Sequence, residues 1–124
     1  MNFRPQDALL VAAKRTAIGR AFKGSLVDYR GDDLAALAIK AALAEVPELK
    51  VSEVEDLILG CAQPAGEQGY NMARPVTLLA GLSQAAGTTV NRYCASSLQA
   101  LRICLLYTSP SPRDRTRSRM PSSA

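Results

Sequence analysis

The chain has 124 residues, 48% of them hydrophobic, with a formal charge of +4, three cysteines and no histidine. That length suits one domain, and the apolar content is enough for a core but does not suggest a disulfide scaffold. Cys61, Cys94 and Cys104 show no CxxC spacing and no histidine partners, so the sequence offers no zinc or redox pair, and the simplest compartment is the reducing cytoplasm.

The charge is unevenly placed. Residues 105–124 hold Arg113, Arg115, Arg117 and Arg119 against Asp114; residues 1–104 are left with 11 basic and 10 acidic side chains, a charge of +1. The basic character therefore gives the body no particular affinity for nucleic acid. The N-terminal apolar run is too short for a spanning helix or a signal peptide, and no other segment is apolar enough to cross a membrane.

Ala8–Ala13, "ALLVAA", is continuous and apolar, which predicts a strand covered on both faces. A glycine-containing loop follows over residues 14–31. "GDDLAALAIKAALAEVPELK" predicts a helix with Asp32 as N-cap and Pro47 as its stop. Its expected apolar face is Leu34, Leu37, Ala38 and Ala41, widened by Ile39, Leu43 and Val46. Ser52–Asp56 predicts a short capped turn, and Asp56–Ala62, "DLILGCA", a second buried strand. After a Gly/Pro loop, "MARPVTLLAGL" predicts a helix closed by Gly81, with Pro75 best placed in its first turn. "TTVNRY", Thr88–Tyr93, predicts a third strand, and "CASSLQALRI" a third helix beginning at Cys94. Strand and helix alternate, which defines an α/β layered class. A sheet with only three strands would leave edges and helix faces open, as in the start of a larger domain.

A strand running into a helix would put Cys94 where free amides and the helix dipole favour negative charge. A thiol so placed is suited to covalent acyl transfer, and the Cys94 backbone amide could donate to an oxyanion. The small residues Ala95, Ser96 and Ser97 leave room for a ligand. A buried, inert cysteine is the commoner state of a lone thiol, and Cys61 in "LGCAQP" fits it. On spacing alone Cys94 fits both.

"GTTVNRYCASSLQALR", Gly87–Arg102, resembles the active-site segment of the thiolase family, with Cys94 at the position of the nucleophile. "RTAIGRAFKGSL", Arg15–Leu26, resembles the family's loop after its first strand, with Ala17 where proline is common. "GEQGYNMAR", Gly66–Arg74, resembles the loop and helix start near the catalytic cysteine and a subunit contact, with Pro75 departing from the usual residue there. The resemblance covers residues 8 to about 103 and is nearest to bacterial acetyl-CoA acetyltransferases and 3-ketoacyl-CoA thiolases.

The resemblance implies a layered thiolase-like α/β fold and, for the full-length parent, a homo-oligomer; the cytoplasmic expectation rests on the cysteine usage above. The resemblance implies acyl transfer through a Cys94 thioester, with acyl-CoA or CoA as substrate and no cofactor, since CoA thioesters are themselves the substrates. Neither nucleic acid nor membrane is expected as a partner. The resemblance also implies a histidine, a second cysteine and a glycine oxyanion donor downstream, none of which has a counterpart in residues 1–103. Residues 1–103 are therefore expected to be a partial N-terminal thiolase domain, inactive alone. Residues 104–124 are expected to be a non-native disordered tail: "CLLYTSPSPRD" and "SRMPSSA" resemble a translated sequencing-library adapter and primer. The alternative is a small non-enzymatic α/β binding protein with a structural Cys94 and a basic tail.

Overall fold

A computed structural model describes residues 7–108. The sheet has two parallel strands, β1 (Asp56–Gly60) and β2 (Ala86–Val90), paired from Asp56↔Ala86 to Gly60↔Val90. Three α-helices accompany it: α1 (Gly31–Leu43), α2 (Ala73–Leu79) and α3 (Ser96–Thr108). The α/β class agrees with the sequence.

Side chains alternate along a strand, and that alternation sorts the layers. Leu57 and Leu59 pack on the core formed by Met72, Val76, Ala80, Leu82 and Ala85. Their ladder partners Gly87 and Thr89 face the start of α2, where the Thr89 hydroxyl accepts from the Ala73 amide at 2.9 Å. Gly60 faces the other way, against the start of α3. Thus α2 lies on one face of the sheet, with α1 stacked on it, and α3 lies on the other.

Several expectations need correction. Ala8–Ala13 forms no strand: the run has no ladder partner among the described residues, and Leu9, Leu10 and Val11 are exposed. A strand is held by a neighbour, and apolar composition alone does not supply one. Asp32 is not the N-cap of α1, because Arg30 takes that position. Instead the Asp32 carboxylate is buried in the first turn and receives both Arg30 Nε and Nη2, at 3.0 and 2.9 Å. Glu67 closes this helix start from outside, accepting from the Gly31 amide at 2.7 Å. The face of α1 that packs inward is Ala35, Ala36, Ile39 and Leu43, while Leu37 is exposed. The helix ends at Leu43, short of Pro47.

Elsewhere the local signals hold. The capped turn expected over Ser52–Asp56 forms one residue earlier and shorter, as a 3-10 turn over Val51–Glu53, with the Lys50 amide donating to Glu53 Oε2 at 2.8 Å. In α2, Pro75 falls in the first turn, where its missing amide costs no helix bond. Gly81 follows that helix at φ 82°, the left-handed value glycine supplies without strain. Within residues 104–124, Cys104–Thr108 continues α3, the turn of extension that the apolar run "CLLY" allows. Residues 109–124, on which the expectation of a disordered tail falls, lie outside the described residues.

Candidate active site

The candidate site is the segment joining β2 to α3. The strand ends at Val90 and the helix begins at Ser96, so Cys94 lies on the turn between them and is not the first helical residue. The expected strand through Tyr93 is shorter because the chain folds back on itself. Tyr93 is left-handed at φ 47°, its amide donates to Asn91 Oδ1 at 2.8 Å, and the Ala95 amide bonds the Arg92 carbonyl at 3.1 Å. Nor does β2 run between two others, since it has one partner, β1, among the described residues.

The turn presents Cys94 outward. Its thiol is free and the residue is exposed, as are Asn91, Arg92, Tyr93 and Ala95 around it. Ser96, by contrast, is 3% exposed. Its hydroxyl accepts from the Arg92 amide at 2.9 Å and donates to the Tyr93 carbonyl at 2.6 Å. Above the turn, Arg92 Nη1 donates to Gln99 Oε1 at 2.6 Å. An exposed thiol on a bonded strand-to-helix turn is open to an electrophile, with the first amides of a 13-residue helix close in sequence.

Cys61 sits just after β1, which ends at Gly60 rather than at Ala62, and is buried as expected; its amide bonds the Val90 carbonyl at 3.0 Å and its thiol contacts Gln68 Oε1 at 3.5 Å. Cys104 is exposed on α3. The three thiols thus occupy three different settings, and only Cys94 lies on the joining turn.

The other motif segments serve that frame. Asn71 donates to the Gly87 carbonyl at 2.8 Å and accepts from Thr89 Oγ1 at 2.9 Å, tying the 66–74 loop to the strand that leads to Cys94. Arg74 Nη1 reaches the Ala85 carbonyl at 3.0 Å and Thr77 Oγ1 at 3.3 Å. The 15–26 segment is a loop with exposed Ile18 and Phe22, and Lys14 beside it pairs with Glu45 at 2.8 Å. Ser96, Asn91 and the Gly60 contact were missed by sequence reasoning. Ser96 counted there only as small; a serine four residues after the amide it bonds was the available signal.

Fold and site together define an α/β chain that displays a cysteine on the turn between a parallel strand and a helix. Residues 8–105 match the family described as thiolase, N-terminal domain, and the chain belongs to the thiolase family. It is 45% identical over 97 residues to a 3-ketoacyl-CoA thiolase of Bacillus subtilis (strain 168), covering 77% of this chain and 25% of that protein. It is 47% identical over 97 residues to the 3-oxoadipyl-CoA/3-oxo-5,6-dehydrosuberyl-CoA thiolase of Escherichia coli (strain K12), with 77% and 24% covered. A 3-ketoacyl-CoA thiolase of Alcanivorax borkumensis is 41% identical over 102 residues, with 82% and 26% covered. The chain therefore spans about a quarter of the length of these relatives. Among the described residues, no helix is long and apolar enough to cross a membrane.

Proposed function

We propose that this chain is the nucleophile-bearing part of a thiolase acting on acyl-CoA thioesters. The observation that carries the proposal is the exposed Cys94 on the β2–α3 turn, inside the family match. In the thiolytic direction the Cys94 sulfur, having given its proton to a base, attacks the 3-keto carbonyl carbon of a 3-ketoacyl-CoA. The Cys94 backbone amide is assigned as a donor to the resulting oxyanion. The bond between C2 and C3 breaks, the acyl group stays on sulfur as a thioester, and the departing acetyl-CoA carbanion takes a proton. The thiol of a second CoA then attacks the thioester and frees Cys94. Condensation of two acetyl-CoA molecules is the same sequence reversed.

The base and the proton donor are not assigned to this chain, which has no histidine. The reading places them in a continuation after Ile103 and assigns residues 104–124 to adapter sequence. It includes no resident cofactor, because the acyl carrier is the substrate. It further assigns the whole protein to a cytoplasmic homo-oligomer without nucleic-acid or membrane partners.

The test begins with the source DNA, read past codon 103 in an independent copy and expressed in full. Thiolysis of acetoacetyl-CoA that disappears in Cys94→Ser is the expected result. Thiolysis that persists in Cys94→Ser overturns the nucleophile assignment, whereas a genomic origin for residues 104–124 with no activity favours the binding-protein alternative.

A further inference from the structure

We propose that Ser96 is a positioning residue for Cys94, its hydroxyl locking the turn that presents the thiol. This rests on the acyl-transfer reading above.

Ser96 is a buried polar side chain beside a turn of exposed residues, at 3% exposure. Both capacities of its hydroxyl are used: it accepts from the Arg92 amide at 2.9 Å and donates to the Tyr93 carbonyl at 2.6 Å. A serine that merely caps a helix accepts from amides further along that helix. Here the hydroxyl faces backward, to residues before Cys94. The two bonds therefore span the thiol-bearing residue and close a ring of backbone around it.

The turn needs such a restraint. Tyr93 holds φ 47°, a region that side-chain-bearing residues leave unless surrounding contacts fix them. The β1–β2 ladder ends at Gly60↔Val90, before Tyr93. Past that point Asn91 Oδ1 bonds the Tyr93 amide, and the carbonyl on its other side accepts from both the Ser96 amide, at 3.0 Å, and the Ser96 hydroxyl, which alone also reaches back to the Arg92 amide. Neighbouring Ser97 is exposed. The torsions of residues 92–96 set where the Cys94 thiol and amide point, so the hydroxyl acts on the nucleophile through the backbone.

The experiment uses the 124-residue chain with Ser96→Ala and Ser96→Thr. Iodoacetamide alkylation is resolved by peptide mass at Cys94 and, in the same molecule, at Cys104, in buffer and in urea. Amide exchange is followed at Arg92 and at Leu57–Leu59 of β1. In the parent chain, Cys94 should gain on Cys104 in buffer relative to urea, and the Arg92 amide should be protected. Ser96→Ala should lose both signals with β1 still protected, and Ser96→Thr, which keeps the hydroxyl, should restore them. A Ser96→Ala chain that keeps the Cys94 preference and the Arg92 protection overturns the positioning role and leaves the nucleophile assignment standing. A parent chain with the same Cys94 to Cys104 ratio in buffer as in urea overturns the positioning role, while the nucleophile assignment is decided separately by the acetoacetyl-CoA assay of the continued protein. Should Ser96→Ala also release β1, the parent decides: an Arg92 amide exchanging at the unfolded rate overturns the proposal, and a protected one with alkylation preserved in Ser96→Thr supports it.

Discussion

Gly60 and Ser97 meet backbone against backbone: a Cβ on Gly60 would lie 2.5 Å from the Ser97 nitrogen and 2.6 Å from the Ser96 carbonyl carbon. The last residue of β1 thus sets how closely α3 approaches the sheet, and with it where the Cys94 turn ends. Gly60→Ala should push α3 outward and destabilise the fold by roughly 1–3 kcal/mol, the usual cost of overpacking. Urea titration measures the loss, and amide exchange across Ser96–Ala100 should rise with it. Unchanged stability and exchange would mean that α3 is not seated on Gly60.

The carboxyl of Asp32 is held below its ordinary pKa, chiefly by the side-chain hydrogen bonds from Arg30, while partial burial opposes the shift. Glu67 also pairs with Arg30, at 3.8 Å, and Asp33 lies next in sequence. A carboxyl lowered in the folded state contributes stability that is present above its unfolded pKa and is lost as pH falls through the folded value. From the ordinary value of 3.8 downward, acid should therefore progressively remove this contribution. Asp32→Asn should flatten the acid limb of a stability-versus-pH curve. An acid limb unchanged by that substitution would contradict the assignment.

Much apolar surface has no cover among the described residues. Leu98, Leu101, Leu105 and Leu106 are exposed on α3, and Leu9, Leu10 and Val11 are exposed near the N-terminus. Exposed apolar patches and open strand edges invite association. Sedimentation velocity of the 124-residue chain should show concentration-dependent association, reduced by Leu98→Lys with Leu101→Lys. A monomer at all concentrations would contradict this.

That open surface also explains what was legible in the sequence. Short-range signals worked: Gly81 ended a helix, "DLILGCA" and "TTV" supplied strands, and Pro75 found a first turn. Features that depend on a distant partner did not. "ALLVAA" looks like a strand, but pairing needs a neighbour. Asp32 looks like a cap, but Arg30 two residues earlier claims its carboxylate. The Cys94 segment was recognised from its residues, yet its position on a turn before α3 followed from the left-handed Tyr93, which no periodicity encodes.

The 124-residue chain alone should not turn over acetoacetyl-CoA. It holds no imidazole, and general acid–base assistance is worth about 10²–10⁴ in rate. The measurement compares it with Cys94→Ser under the same assay. Cysteine-dependent turnover at ordinary enzyme rates would show that the chain carries its own base.

The central claim is that Cys94 holds the acyl group. The direct test is acid quenching of the fully continued protein during reaction with acetyl-CoA, followed by mapping of the acetylated peptide. An acetyl thioester is expected on Cys94, cleared by added CoA and absent in Cys94→Ser. Acetylation at another residue, or none under conditions where thiolysis proceeds, would contradict it.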